Sequence, residues 1–208
     1  MDTLTKIKEA AIDLFRQYGF KTITMDDVAR KAGISKKTLY QHFANKSEVV
    51  TESVSWFKDN ISQSCNAHLT ESENAIEGMV RVMALFDEIN RKMNPLALFE
   101  MERFFPHCYK VFRDSIEGDD VIRIKDNLEK GIQEGLYRED INTSFLSAYR
   151  MELSMLIYHP NLLITDKMPV NEVANEISEH FLYGIMTAKG EKLYKKYKEK
   201  YLKQVSKI

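Results

Sequence analysis

Apolar residues recur along most of this chain at intervals of three and four, and nowhere does an apolar-polar alternation run long enough to specify a half-buried strand. That spacing places apolar side chains on one face of an α-helix, which turns every ~3.6 residues. The first segment shows it: Ile7, Ala10, Ala11, Leu14, Phe15 and Tyr18 form one stripe, and Gly19 ends the helix. With only eight glycines and four prolines to interrupt 208 residues, and 44% hydrophobic content to fill a core, the expectation is an ordered all-α protein. Further helices are expected at 71–93, 95–117 with a break at Pro106, 119–135, 142–158, 170–188 and 190–206, with no internal repeat.

Between the first helix and these lies a denser signal. Thr24 stands three residues before Asp27, the spacing at which a hydroxyl caps a free backbone amide while a carboxylate reaches back. Met25, Val28, Ala29 and Ala32 then form a buried face. Gly33 supplies a left-handed residue, Ile34 plugs the turn, and Ser35 caps a new short helix over 36–43. Asn45 with Glu48 repeats the capping signature and opens a longer helix from 45 to about Cys65. It links two domains, residues 1–47 and residues 48–208.

Charge and cysteine usage exclude several classes. The net charge of −1 conceals +4 over residues 1–47, −11 over 48–188 and +6 over 189–208, so the basic ends are where a polyanion would bind. Charges throughout the first 20 residues leave no apolar core for a signal peptide, and no run of about 18 apolar residues exists to span a membrane. A cytoplasmic location without membrane contact is expected. Cys65 and Cys108 belong to no metal-binding spacing, although Cys108 neighbours His107; no metal is expected. No nucleophile-base pair or Gly-rich phosphate loop is visible, so neither catalysis nor a cofactor is expected.

Between Val28 and Ser47 there is no acidic residue, while Arg30, Lys31, Lys36, Lys37 and Lys46 are all basic. One-signed charge around a tight helix-turn-helix suits a duplex, because phosphate neutralisation supplies most of the non-specific affinity. On a helical wheel Leu39 and Phe43 face inward, and Lys37, Thr38 and Gln41 project from the far side. There they can meet base edges in the major groove. Tyr40 and His42 fall on the flanks with polar tips suited to phosphate oxygens. Thr24, Lys36 and Lys46 start helices, where anions are already favoured.

The turn Gly33-Ile34-Ser35, the segment Leu39-Tyr40-Gln41-His42-Phe43 and the start Asn45-Lys46-Ser47-Glu48 resemble the DNA-binding domain of the tetracycline-repressor (TetR) family, over residues 4–57. The resemblance implies a three-helix DNA-binding domain followed by a larger helical regulatory domain. It also implies a homodimer joined through a four-helix bundle of C-terminal helices, and repression of a double-stranded DNA operator relieved by a small-molecule effector. Carried onto this chain, it implies that Tyr40, His42 and Lys46 touch phosphates and that Lys36, Lys37, Thr38 and Gln41 lie in or beside the groove. A palindromic operator would match the two-fold symmetry.

For the regulatory half, Met83, Phe86, Phe99, Phe104, Phe105, Tyr109, Phe112, Met151 and Met155 are candidate ligand-binding residues, since Met and aromatics line adaptable apolar pockets, although core packing is the default explanation for such residues. A hydrophobic or aromatic ligand follows. Phe145, Tyr149, Val173, Ile177, Phe181 and Ile185 recur at helical spacing and are candidates for the dimer bundle. Tyr194, Tyr197 and Tyr201 share a stripe amid lysines, which reads as an amphipathic helix packed on the bundle or as a second nucleic-acid contact. The rival reading for the whole chain is a helical cytosolic enzyme or an adaptor with an incidental helix-turn-helix.

Overall fold

The computed structural model describes residues 2–116, 118–158 and 168–202. Among them are eleven α-helices and no strand, as the periodicity requires: α1 (Thr3–Tyr18), α2 (Met25–Ala32), α3 (Lys36–His42), α4 (Lys46–Thr70), α5 (Ala75–Asn90), α6 (Ala97–Phe104), α7 (Pro106–Ile116), α8 (Asp119–Gln133), α9 (Thr143–Leu156), α10 (Val170–Ile185) and α11 (Ala188–Tyr201). The expected break falls between α6 and α7, at Pro106. Helix α4 runs about a turn beyond Cys65, to Thr70. The last helix starts earlier than expected because the Thr187 hydroxyl caps it, accepting from the Gly190 N–H at 3.2 Å; the end of its expected span, 203–206, lies outside the described residues.

The chain divides into two compact units, Met1–Ile61 with Lys92–Ser115, and Ser62–Arg91 with Ile116–Ile208. The unit that holds the first three helices therefore includes the start of α4 and, returning from far along the sequence, α6 and α7. Packing is the reason: Ala97, Met101 and Cys108 are buried in one cluster with Ile7, Ala11, Phe15, Val28, Leu39, Phe43 and Val50. Phe15 and Phe20 stack at 5.0 Å, and Phe105 tilts against Phe20 at 6.3 Å. The Asn94 N–H donates to the Arg16 carbonyl at 2.7 Å, and the Lys21 N–H donates to the Glu100 carboxylate at 2.9 Å. Gly19 allows that approach: its φ is +88°, and a Cβ there would stand 2.5 Å from Glu100 Oε2. Tyr18, placed by the sequence on the apolar stripe, is 52% exposed, because the chain turns away at Gly19 and covers Phe15 instead.

In the second unit α5 is the central helix, packed by α8, α10 and α11. Ile76, Val80, Leu128, Leu182 and Tyr194 are fully or almost fully buried in its core. The C-terminal helix joins that core through Tyr194 and Tyr197. Tyr197 Oη accepts from Asn74 at 2.9 Å, Tyr201 donates to Glu77 at 2.6 Å, and Lys198 pairs with Glu179 at 2.6 Å. The tail's tyrosines thus serve packing, and three of its lysines, Lys195, Lys198 and Lys200, pair with acids of the same unit.

A buried carboxylate ties the end of α5 to the start of α10. Asp87, 3% exposed, accepts from Arg91 Nη2 and Nε at 2.7 and 2.9 Å on one oxygen and from Asn175 and Asn171 at 2.7 and 3.0 Å on the other. Burial alone would raise its pKa; the two amides and the guanidinium outweigh burial and hold it below the ordinary 3.8. A depressed folded pKa contributes stability that is full above 3.8 and is lost as pH falls through the lower folded value. Asp87→Asn should therefore flatten the acid limb of stability against pH in thermal melts. Asp87→Ala should lower stability at neutral pH by about 3 kcal/mol, measured by urea unfolding.

Candidate nucleic-acid interface

Helix α2 opens on the reciprocal cap expected of Thr24: its hydroxyl accepts from the Asp27 N–H at 3.2 Å and donates to the Asp27 carboxylate at 2.6 Å. It closes on Gly33, at φ +68°. There the Gly33 N–H donates to the Arg30 carbonyl at 3.2 Å and the Ile34 N–H to the Ala29 carbonyl at 3.0 Å, the paired bonds of a Schellman turn. Ile34 packs on the core, and the Ser35 hydroxyl accepts from the Thr38 N–H at 3.0 Å to start α3. With Leu39 wholly buried and Phe43 at 3% exposure, α3 has one possible orientation, and its other face is turned to solvent.

On that face Lys36, Lys37, Tyr40, Gln41 and His42 are exposed and Thr38 is half-buried. Six of the eight expected contact residues thus sit on one short helix with side chains directed outward, apart from Thr38, whose hydroxyl lies 2.8 Å from that of Ser35. Lys36 pairs with Asp26 at 2.7 Å, and that carboxylate raises its pKa, so it stays charged. The pair is solvated, which lets a phosphate replace the carboxylate. The Thr24 hydroxyl is engaged by Asp27, which leaves it little freedom to meet a phosphate.

Lys46 differs from the rest. It is half-buried; its Nζ donates to the Lys21 carbonyl at 3.2 Å and lies 5.6 Å from the Phe105 ring centre. Desolvation lowers its pKa against the opposing pull of Glu100 and Asp27. The start of α4 is secured by Asn45, which accepts from the Glu48 N–H at 3.1 Å, while the Glu48 carboxylate accepts from the Ala44 N–H at 2.7 Å. Lys21, an exposed cation outside the expected set, meets Lys46 through its backbone carbonyl and holds its own Nζ 5.4 Å from the Phe104 ring centre.

The candidate ligand residues fall in both units. Phe99, Phe104, Phe105, Tyr109 and Phe112 belong to the first, where Phe105, Tyr109 and Phe112 pack against the helix-turn-helix core and Phe99 and Phe104 are 38% and 42% exposed. Met83, Phe86, Met151 and Met155 belong to the second, with Met83 buried and the others half-buried. The dimer candidates also divide. Phe145 and Tyr149 stack at 5.9 Å and are 63% and 45% exposed, whereas Val173, Phe181 and Ile185 are at most 8% exposed and Ile177 is half-buried.

The family profile "Bacterial regulatory proteins, tetR family" matches residues 7–52, the stretch that holds the two capped helices and their turn. The chain is 28% identical over 149 residues to the HTH-type transcriptional regulator YhgD of Bacillus subtilis, covering 65% of this chain and 72% of that one. It is 25% identical over 198 residues to the HTH-type transcriptional repressor KstR2 of Rhodococcus jostii, covering 87% and 90%. Its fold is similar to that of SmeT, the Stenotrophomonas maltophilia repressor, solved in complex with triclosan, with a TM-score of 0.64 at 16% identity over 89% of this chain and 92% of that one.

Two substitutions test a base-reading role for Gln41 apart from a phosphate-holding role for Lys46. Gln41→Ala should change preference at one base-pair position by about 1–3 kcal/mol and leave the rest of a selected site unaltered. Lys46→Ala should weaken binding to all sequences alike and lower the slope of log affinity against log salt by roughly one unit. Fluorescence anisotropy with a selected duplex and its single-base variants checks both.

Proposed function

We propose that this chain, which belongs to the tetracycline-repressor (TetR) family of bacterial regulatory proteins, represses transcription as a homodimer on a palindromic operator and is released from it by a small, largely hydrophobic effector. The observation that carries the reading is the outward face of α3. It is a helix held at both ends, with Lys37 and Gln41 one turn apart and no acidic residue between Val28 and Ser47. Repressors among its relatives, and the triclosan bound to SmeT, support the direction of control. An enzyme or adaptor with an incidental helix-turn-helix is disfavoured, because such a protein has no need of a one-signed, outward helix. Among the described residues no helix is long and apolar enough to cross a membrane; a cytoplasmic site of action goes with this reading.

One short helix reads too few bases for specificity, so two copies are required, with recognition helices about 34–36 Å apart or at a multiple of it. The surface best suited to join them is the outer stripe of α9, where Phe145, Ala148, Tyr149 and Leu156 are exposed. Phe181 and Ile185 have almost no area left to bury against a partner. Phe145→Glu with Tyr149→Glu should convert a dimer into a folded monomer in sedimentation at micromolar concentration and weaken binding to a palindrome far more than to a half-site. If the double variant stays dimeric, the bundle uses another face.

Helix α4 begins in one compact unit, at Lys46, and ends in the other, 25 residues without Gly or Pro to absorb a displacement. An effector that favours a DNA-incompetent arrangement couples to the operator by about 1–3 kcal/mol in ordinary cases. A Gly-Gly insertion after Ser55 should abolish effector-dependent release in operator titrations while leaving effector binding intact. Release that survives the insertion would exclude α4 as the route.

A further inference from the structure

The inner face of α9 carries a cation that no acid among the described residues neutralises. Along that face Leu146, Ser147, Leu153, Ser154 and Ile157 are buried or half-buried, and Arg150 lies among them, on the side of the helix away from the exposed Phe145-Tyr149 stripe. Its guanidinium donates through Nη1 to the Ser154 hydroxyl and through Nη2 to the Ser178 hydroxyl of α10, each at 2.9 Å, and it stands 5.7 Å from the centre of the Phe181 ring. Ser178 and Phe181 are 7% and 6% exposed. Among the described residues no carboxylate forms an ion pair with it, and burial, with no opposing acid, pushes its pKa down to about 10. Asp87, one turn of α10 away through its bond to Asn175, is already satisfied by Arg91 and two amides.

A second donor in the same unit is also idle. Asn90, 1% exposed, accepts from the Tyr158 hydroxyl at 2.7 Å through its carbonyl oxygen, while its buried amide nitrogen has no hydrogen-bond partner among the described residues. Buried donors without acceptors are expensive, and a desolvated charge without a counter-charge more so. The two serine hydroxyls use two of the five N–H groups of Arg150, and those remaining suit a planar, singly charged acceptor. Around it Leu146, Leu153 and Phe181 supply apolar surface from a single cluster.

We propose that the effector of this protein is an amphiphile with a carboxylate head, and that Arg150, held by Ser154 and Ser178, is the residue that recognises that head between α9 and α10. This deepens the effector-release reading and rests on it: the apolar body matches Leu146, Leu153 and Phe181, and the head is set by Arg150, a buried cation with no ion pair among the described residues. A single guanidinium matches a single negative charge, which favours a carboxylate over a doubly charged phosphate.

The test uses the full chain and a probe series of octanoate, decanoate and dodecanoate, each against the alcohol of the same length, with binding measured by calorimetry. The parent should bind at least one carboxylate roughly tenfold or more tightly than its alcohol, the worth of a charge-assisted hydrogen bond. Arg150→Gln should abolish the preference by weakening the carboxylate and not the alcohol, and Arg150→Lys should restore part of it. The ligand-free Arg150→Gln protein should melt no lower than the parent, because it no longer buries an uncompensated charge. A series in which no carboxylate outbinds its alcohol overturns the proposal, as does a marked fall in melting temperature of Arg150→Gln, which would make the arginine a structural cation. Operator titration separates the two readings. Equal release by alcohol and carboxylate keeps effector control and removes the anion site, whereas Arg150-dependent carboxylate binding without release keeps the site and removes its control of DNA.

Discussion

Helices α2 and α3, of eight and seven residues, are shorter than the dozen or so at which an isolated helix becomes marginal in water, so the DNA-reading half depends on burial from outside them. Phe15 beneath them, Val49 and Val50 from α4, and Ala97 and Met101 from α6 supply it. Fully burying a side chain such as Phe15 or Leu39 contributes about 1.5–3 kcal/mol, more than the ~1 kcal/mol a typical cap adds. Position is therefore set by the apolar core and orientation by the caps. A recognition helix needs both, since an angular error at α3 moves Lys37 and Gln41 off the base edges they would read.

The same logic applied to polar groups divides the second unit. Asp87 is buried and answered on every side, by a guanidinium and two amides, and so fixes the end of α5 against α10. Among the described residues Arg150 is answered by two hydroxyls and the Phe181 ring, which satisfy its geometry and leave its charge without a carboxylate. Hydrogen bonding and neutralisation are separate requirements. A site that meets the first and lacks the second holds a side chain in place without removing its affinity for an anion.

What the sequence made legible was local. Thr24 with Asp27, Gly33 and Ser35 each act within four residues, so spacing alone specifies them, and the structure places each in the cap or turn expected. The outward face of α3 followed from Leu39 and Phe43 by periodicity. Pairing between distant segments was not legible. Nothing in the Met and aromatic content of 83–112 distinguishes Met83, which joins the second unit's core, from Phe105, which packs on the helix-turn-helix 60 and more residues earlier in the chain. Phe145 and Phe181 share residue type and periodicity, and only tertiary packing leaves one at 63% exposure and the other at 6%. Arg150 gave no signal at all, because an arginine on a helix reads as a solvated one until its neighbours are known.

That division also explains why the family profile stops at residue 52 while the fold extends over most of the chain. The first three helices and the start of α4 answer to B-DNA, whose groove dimensions and phosphate spacing do not vary, so residue type is tied to position there. The remaining helices answer to helix packing and, in the proposed reading, to an effector. Helix packing tolerates hydrophobic exchange when volume and pattern are kept, so a TM-score of 0.64 survives at 16% identity. Within such a background apolar residues carry little information about the ligand, since any of them fills space. Uncompensated polar groups carry more, because each costs stability in the empty protein and keeps its place only if something repays it. For this chain that argument gives more weight to Arg150, whose buried charge meets no acid among the described residues, than to the apolar residues packed beside it.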